Sequence, residues 1–280
     1  MSHERQPAIS GHARQWYCLM PDKPSTSPVV NVYIDGYNVY RPIQMKAEES
    51  RDPKALHLAW CDYLKLAELL ATREFGPHRL GAIKLFTAYA RDEVQSIMKS
   101  DGLKRKEEWL EALRIAAKGR VHISFGRWEM KGPDHPQPKE KLTDVKLAIS
   151  LVRDGFMKPV RDGIPKPWCF EPEHKYEDDD PGWPFDKAIV VSCDKDFLPA
   201  AEMVAREAKR EVRIAFPYLS NPYNLPPGAR VKTTRIAETD LRAASLPDVI
   251  YRPDGSRILW ADYVISKGWS TKRTLRAGGH

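Results

Sequence analysis

Three aspartates, far apart in the chain, stand where buried strands end or a helix begins. Asp35 closes the run Val32-Tyr33-Ile34, and Asp194 follows Ile189-Val190-Val191-Ser192-Cys193. Asp144 stands in Lys141-Leu142-Thr143-Asp144-Val145. One acid after an apolar run says little. Three gathered at one edge of a parallel sheet would repel one another, and a divalent cation would relieve that repulsion. Hard cations such as Mg²⁺ or Mn²⁺ take oxygen ligands and keep several waters. Carboxylates so arranged support metal-assisted attack of water on a phosphodiester. Each acid also has a local role to play. Asp35-Gly36 suits a turn, Asp144 an N-cap, and Asp196 the N-cap of a helix opening at Phe197-Leu198-Pro199. For Asp196 the cap is the leading account, with a supporting part in the site behind it.

The elements that must position these residues follow from periodicity. Val29 to Ile34 is a β-branched and aromatic run, the mark of a buried strand. Asp52-Pro53 opens a helix in which Leu56, Trp60, Tyr63, Leu64, Ala67 and Leu70 recur at helical spacing, ended by Gly76-Pro77. Ala82 to Tyr89 predicts a second strand, Glu93 to Lys118 one or two helices, and Val121 to Phe125 a third strand. A proline-rich loop from Gly132 to Pro138 leads into a helix carrying Val145, Ala148, Ile149 and Val152 on one face. Lys158 to Pro184 lacks periodicity and reads as a long insertion ending in an acidic run. Lys187 to Ser192 predicts a strand, Phe197 to Lys209 a helix, and Val212 to Phe216 a strand. Strands alternating with helices imply a parallel sheet covered on both faces, with ligands beyond the strands' carboxyl ends. The apolar pair around Tyr251-Arg252-Pro253-Asp254-Gly255-Ser256 predicts a hairpin.

Residues 1–28 read as an N-terminal extension, 29–245 as one domain with an insertion at about 158–184, and 246–280 as an appendage with a basic tail. No stretch approaches the roughly 20 apolar residues of a membrane span. The N-terminus has no apolar signal region, and Cys18, Cys61, Cys169 and Cys193 form no CxxC pair. The expectation is a reduced, cytoplasmic protein with free thiols and no membrane partner. The net charge of +7 is concentrated in Lys99 to Arg120 and after Pro227. Basic faces attract phosphate backbones, although charge runs are also ordinary solvated surface.

Three motifs carry a resemblance. Asp35-Gly36-Tyr37-Asn38, Glu140-Lys141-Leu142-Thr143-Asp144-Val145-Lys146-Leu147-Ala148 and Ser192-Cys193-Asp194-Lys195-Asp196-Phe197-Leu198-Pro199 resemble, in order and context, the NYN family of PIN-like ribonucleases, over about residues 29 to 245. The resemblance implies a Rossmann-like three-layer α/β/α sandwich with a parallel sheet. It also implies metal-dependent endoribonuclease activity, with Asp35, Asp144 and Asp194 as ligands of Mg²⁺ or Mn²⁺. Asn38 and Ser192 would orient a carboxylate or a water. Where family members often carry a further aspartate this chain has Ser150, with Asp154 one helical turn beyond. That departure bears on whether one metal or two are held.

For RNA as partner, Lys104, Arg105, Lys106 and Lys141 are candidate phosphate contacts, with Arg114 and Lys118 near them. Tyr37, Tyr40 and Arg41 are candidate stacking residues, packing being the competing role of the tyrosines. A protein partner or homo-oligomer is left open. The alternative function is a non-catalytic RNA-binding or regulatory module with a degenerate PIN-like fold, motivated by Ser150 and the acidic insertion. A phosphatase or topoisomerase-like domain fits poorly. The former wants its DxD after the first strand, and the latter a glutamate at position 35. Nothing resembles a Gly-rich phosphate loop, a paired-histidine zinc site or a Ser-His-Asp triad.

Overall fold

The computed structural model describes residues 27–89, 100–131, 137–158 and 182–260. A seven-stranded sheet forms the middle layer. Its strands are β1 (Val29–Asp35), β2 (Arg79–Tyr89), β3 (Val121–Lys131), β4 (Gln137–Lys141), β5 (Lys187–Val191), β6 (Glu211–Phe216) and β7 (Lys232–Arg235), in spatial order β4-β3-β2-β1-β5-β6-β7. All neighbours pair in parallel except β3 and β4. The helices are α1 (Gly36–Ser50), α2 (Tyr63–Phe75), α3 (Ser100–Ala116), α4 (Thr143–Phe156), α5 (Leu198–Arg206) and α6 (Glu238–Ala243). The chain is a three-layer α/β/α sandwich built on a parallel sheet, the Rossmann-like architecture expected from its alternation of strands and helices.

Alternation along β1 explains the layers, because successive side chains of a strand face opposite sides of the sheet. Val30, Val32 and Ile34 join a core with Val39 and Ile43 of α1, Leu66 and Leu70 of α2, and Leu110 and Leu113 of α3. Tyr33 points the other way, into a core with Leu147 and Leu151 of α4 and Ala201 and Val204 of α5. The chain leaves β1 through β2 and β3 on one side and returns to pair β5 on the other. Strand order therefore reverses between β1 and β5, where such sheets open a crevice at the carboxyl ends.

Several elements differ from the sequence expectation. Asp35-Gly36 is no isolated turn, because α1 begins there. The Asp35 carboxylate caps it by accepting from the Asn38 N–H. Gly36 is needed for close approach, since a Cβ there would lie 3.0 Å from Leu85 Cδ1 and 3.1 Å from the Phe86 carbonyl oxygen. The helix expected from Asp52-Pro53 is split. A 3-10 helix (Pro53–Ala59) comes first, and Asp62 then caps α2 through the Leu64 and Lys65 N–H groups. The loop before α4 contains a strand, because β4 folds back on the long β3, with Lys141 opposite Arg127.

Of the apolar residues expected on one face of α4, Val145 (52% exposed) and Ile149 (59%) look outward, while Ala148 and Val152 pack against the core of Leu147 and Leu151. Thr143, Leu147, Ser150, Leu151, Asp154 and Gly155 face the sheet. Beneath that face Lys84 of β2, fully buried, bonds Asp154 Oδ2 at 2.5 Å and Ser150 Oγ at 2.9 Å. Tyr33 Oη donates to Asp154 Oδ2 (2.7 Å), and the Trp183 N–H donates to its other oxygen (3.0 Å).

The hairpin near the end of the described chain forms from β8 (Val249–Tyr251) and β9 (Arg257–Leu259). Ile250 and Ile258 pack on Trp60 and Ala112. The N-terminal extension, most of the insertion and the basic tail lie outside the described residues. Among those described, no helix is long and apolar enough to cross a membrane.

Candidate functional site

The crevice between β1 and β5 holds the first and third motifs. Asp35, 2% exposed, ends β1 level with Phe86 of β2. One oxygen accepts from the Asn38 backbone at 3.1 Å, and the other accepts from the Asn38 side chain and from Ser192 Oγ at 3.1 Å. Ser192, fully buried just past β5, accepts in turn from the Asp194 N–H at 3.0 Å. Cys193 closes the ring by donating its thiol to Asn38 Oδ1 at 2.8 Å. Asn38 and Ser192 thus both hold Asp35, the orienting part expected of them.

The second motif arrives by a different route. Because β4 runs antiparallel to β3, the chain comes back to the carboxyl edge, and α4 starts there. Leu142 makes the corner in the left-handed region (φ 71°) and is the N-cap, with no side-chain cap bond. Asp144 is therefore not the cap but an exposed acid in the first turn of α4. Lys146 fastens that turn to β3 by donating to the Phe125 carbonyl at 2.6 Å.

Electrostatics link the acids. Burial raises the Asp35 carboxyl to about 6, and the charge of Asp144 pushes in the same direction, against the bonds from Asn38 and Ser192. Burial, then the charges of Asp35 and Asp194, raise the Cys193 thiol above its ordinary value. This thiol is held neutral, in the opposite environment to that of a reactive cysteine.

The cap expected of Asp196 falls to Asp194. Asp194 caps the short 3-10 helix Lys195–Phe197 by accepting from the Asp196 N–H at 2.9 Å. Asp196 caps nothing, since the N-cap of α5 is Phe197 with no side-chain cap bond. Its carboxylate is exposed at the rim. The physical reason is register. The turn after β5 begins at Asp194, so the first free N–H groups face the earlier acid.

The remaining candidates scatter around the edge. Tyr37 is half exposed in the first turn of α1, and Arg41 is half buried one turn on. Tyr40 packs against the core. Lys106 donates to the Ala88 carbonyl near the end of β2. Lys104 and Arg105 fall on α3 and Lys141 on β4, and their side chains lie outside those described.

Ser150 and Asp154, the positions bearing on a second metal, are sequestered by Lys84 beneath α4. Two neighbours of the site carried no sequence signal strong enough to find them. Cys193 is an apolar-looking residue inside a motif, and Tyr223 lies in the irregular stretch between β6 and β7. Burial, then the charges of Asp194 and Cys193, push Tyr223 up to about 12.

The donor set suits a hard cation in kind. It offers carboxylate oxygens, one of them buried and disfavoured as an anion in the absence of a counter-charge. Among the described residues, no three His, Cys, Asp or Glu side chains converge as a ready-made ligand set. Asp144 and Asp194 stand at the rim, exposed and half-buried respectively, where rotamer changes are inexpensive.

Comparisons with known proteins add little to this geometry. No family model and no curated protein matches the chain. Among solved structures it is similar to a protein of unknown function from Vibrio parahaemolyticus. The two are 15% identical with a TM-score of 0.38, over 75% of this chain and 94% of that one.

Proposed function

We propose that this chain is a metal-dependent endoribonuclease of the NYN type, with Asp35, Asp144 and Asp194 as ligands of Mg²⁺ or Mn²⁺. The observation that carries the reading is the pairing of Asp35 with the third motif through Ser192, with the charge of Asp144 felt at the same carboxylate. A divalent ion bound there supplies a nucleophile from water at neutral pH and offsets charge building on the phosphate. Asp35 is the fixed ligand, oriented by Asn38 and Ser192. Asp144 and Asp194, at the rim, would complete the ligand set. Attack of water on phosphorus with the 3′ oxygen as leaving group gives a 5′-phosphate and a 3′-hydroxyl. One ion fits better than two, because Ser150 and Asp154 are committed to Lys84. RNA is the partner, and a reduced cytoplasmic setting suits the free thiols Cys61 and Cys193.

The test is a cleavage assay on single-stranded and structured RNA with Mg²⁺ or Mn²⁺, comparing the parent with Asp35→Asn and Asp194→Asn and mapping the ends. Metal-dependent cutting reduced at least a hundredfold in both variants is expected. Ser150 in place of a further acid, held by Lys84, favours one rival, a non-catalytic RNA-binding or regulatory module. RNA binding unchanged by EDTA, with no cleavage, would establish the rival instead.

A further inference from the structure

The crevice has a wall that none of the three motif acids supplies. β6 ends at Phe216, and the chain runs irregularly to Val231 before β7. Within that stretch the Tyr223 ring stands edge-on to Phe216, with centroids 5.0 Å apart at 84°. Its hydroxyl reaches the Asp194 carbonyl at 3.4 Å. Tyr223 is thus fixed beside Asp194 of the third motif.

Lys195 lies over this ring, its Nζ 5.7 Å from the centroid. The residue is exposed and sits between two aspartates, yet it forms no ion pair with any described residue. Asp194 spends an oxygen on the Asp196 backbone instead. An aromatic face holds the lysine, an attraction of about 0.5–1 kcal/mol at an exposed position. The result is an ammonium with all three donors available, at the mouth of a pocket of negative charge.

Resting on the ribonuclease reading, we propose that Lys195, steadied by Tyr223, grips a backbone phosphate of the RNA strand on the β5–β6 side of the crevice. Lysine binds phosphate as a point charge without demanding a particular approach. A cation on this rim lets a polyanion reach a site whose own carboxylates would repel it. The phosphate contacted is a neighbour of the scissile one, because Asp35 lies across the crevice beyond Ser192. Lys195 therefore acts on strand binding and leaves the hydrolytic step to the acids.

The experiment measures KM and kcat for a short single-stranded RNA at several salt concentrations, with binding of the same RNA measured in EDTA. Lys195→Ala should raise KM roughly tenfold, more than it lowers kcat, as loss of one charge-assisted contact does. Its log K against log salt line should be shallower by about 0.7, the release expected for one phosphate of a single strand. Lys195→Arg should restore the parental slope, and Tyr223→Leu should weaken binding while Tyr223→Phe, which keeps the ring, weakens it less. If the parent cuts RNA and Lys195→Ala shows the parental KM and salt slope, this assignment falls and the ribonuclease reading stands. If the parent neither binds nor cuts RNA, both fall together.

Discussion

At the scale of the residue, Asp35 meets two opposed demands. On the proposed reading it acts as a carboxylate, and it is buried where a carboxylate is disfavoured, with Asp144 adding repulsion. An unfolded aspartate ionises near 3.8, whereas the folded one ionises at about 6. Between those values the native state keeps a proton that the unfolded chain has released. Stability from this group is therefore greatest below about pH 4, declines as pH rises through 6, and is level above. The interval corresponds to roughly 3 kcal/mol. Glu74, lowered despite its burial by bonds from Thr234 and Arg73, contributes the opposite slope. The informative quantity is thus the difference between parent and Asp35→Asn, read as unfolding midpoints from pH 4 to 7.5 in metal-free buffer. The parent should lose stability relative to the variant across that range. Mn²⁺ or Mg²⁺ at neutral pH should raise the parental midpoint and leave that of Asp35→Asn nearly unmoved. Parallel pH profiles would show that Asp35 is solvated in the folded protein.

At the scale of the element, α4 decides where Asp144 goes, and its orientation was the hardest feature to read. Leu142, Val145, Ile149 and Phe156 recur at three-, four- and seven-residue spacing and form a second, outward apolar stripe. What selects the inward face is tertiary. Lys84 needs Ser150 and Asp154, and these share a face with Leu147 and Leu151. The two stripes can be told apart by stability. Leu147→Ala, fully buried, should cost about 2–5 kcal/mol. Ile149→Ala should fall within about 1 kcal/mol of the parent. Equal costs in denaturant titrations would mean that the outward stripe is covered.

The strands and their order of use were legible because β-branched runs bounded by breakers carry a local signal. The first helix was missed because Gly36 and Pro42 both read as breakers. In the fold Gly36 serves close approach to β2, and Pro42 lies within α1. β4, with prolines and lysines in Gln137–Lys141, takes its strand character wholly from pairing with β3. Asp35 and Asp194 were legible from their place after apolar runs. The move of the cap from Asp196 to Asp194 turned on where the turn after β5 begins.

At the scale of the whole molecule, one buried ion pair ties the layers to the site. Lys84 of β2 and Asp154 of α4 are both fully buried, and Asp154 also receives Tyr33 of β1 and the Trp183 N–H just before β5. Through them the two central strands, the strand beyond the crevice and α4 share one carboxylate. Asp144 lies ten residues earlier on the same helix, about 15 Å along its axis, so this anchor sets the register in which it reaches the edge. Burying two charges gains little net stability, whereas removing Asp154 strands Lys84; Asp154 itself also has Arg153, whose guanidinium reaches its other oxygen at 3.2 Å.

Asp154→Leu should therefore cost about 3–5 kcal/mol, and Lys84→Met less, because Arg153 still pairs with Asp154 at 3.2 Å. The double variant Lys84→Met/Asp154→Leu should recover most of that loss, because an apolar pair needs no compensating charge. Activity should not recover in step, since the apolar pair fills the space without fixing α4 by directed bonds. If the double variant is as unstable as the sum of the singles, the two residues do not interact in the folded protein. If it is stable and as active as the parent, α4 is held in register by its packing alone.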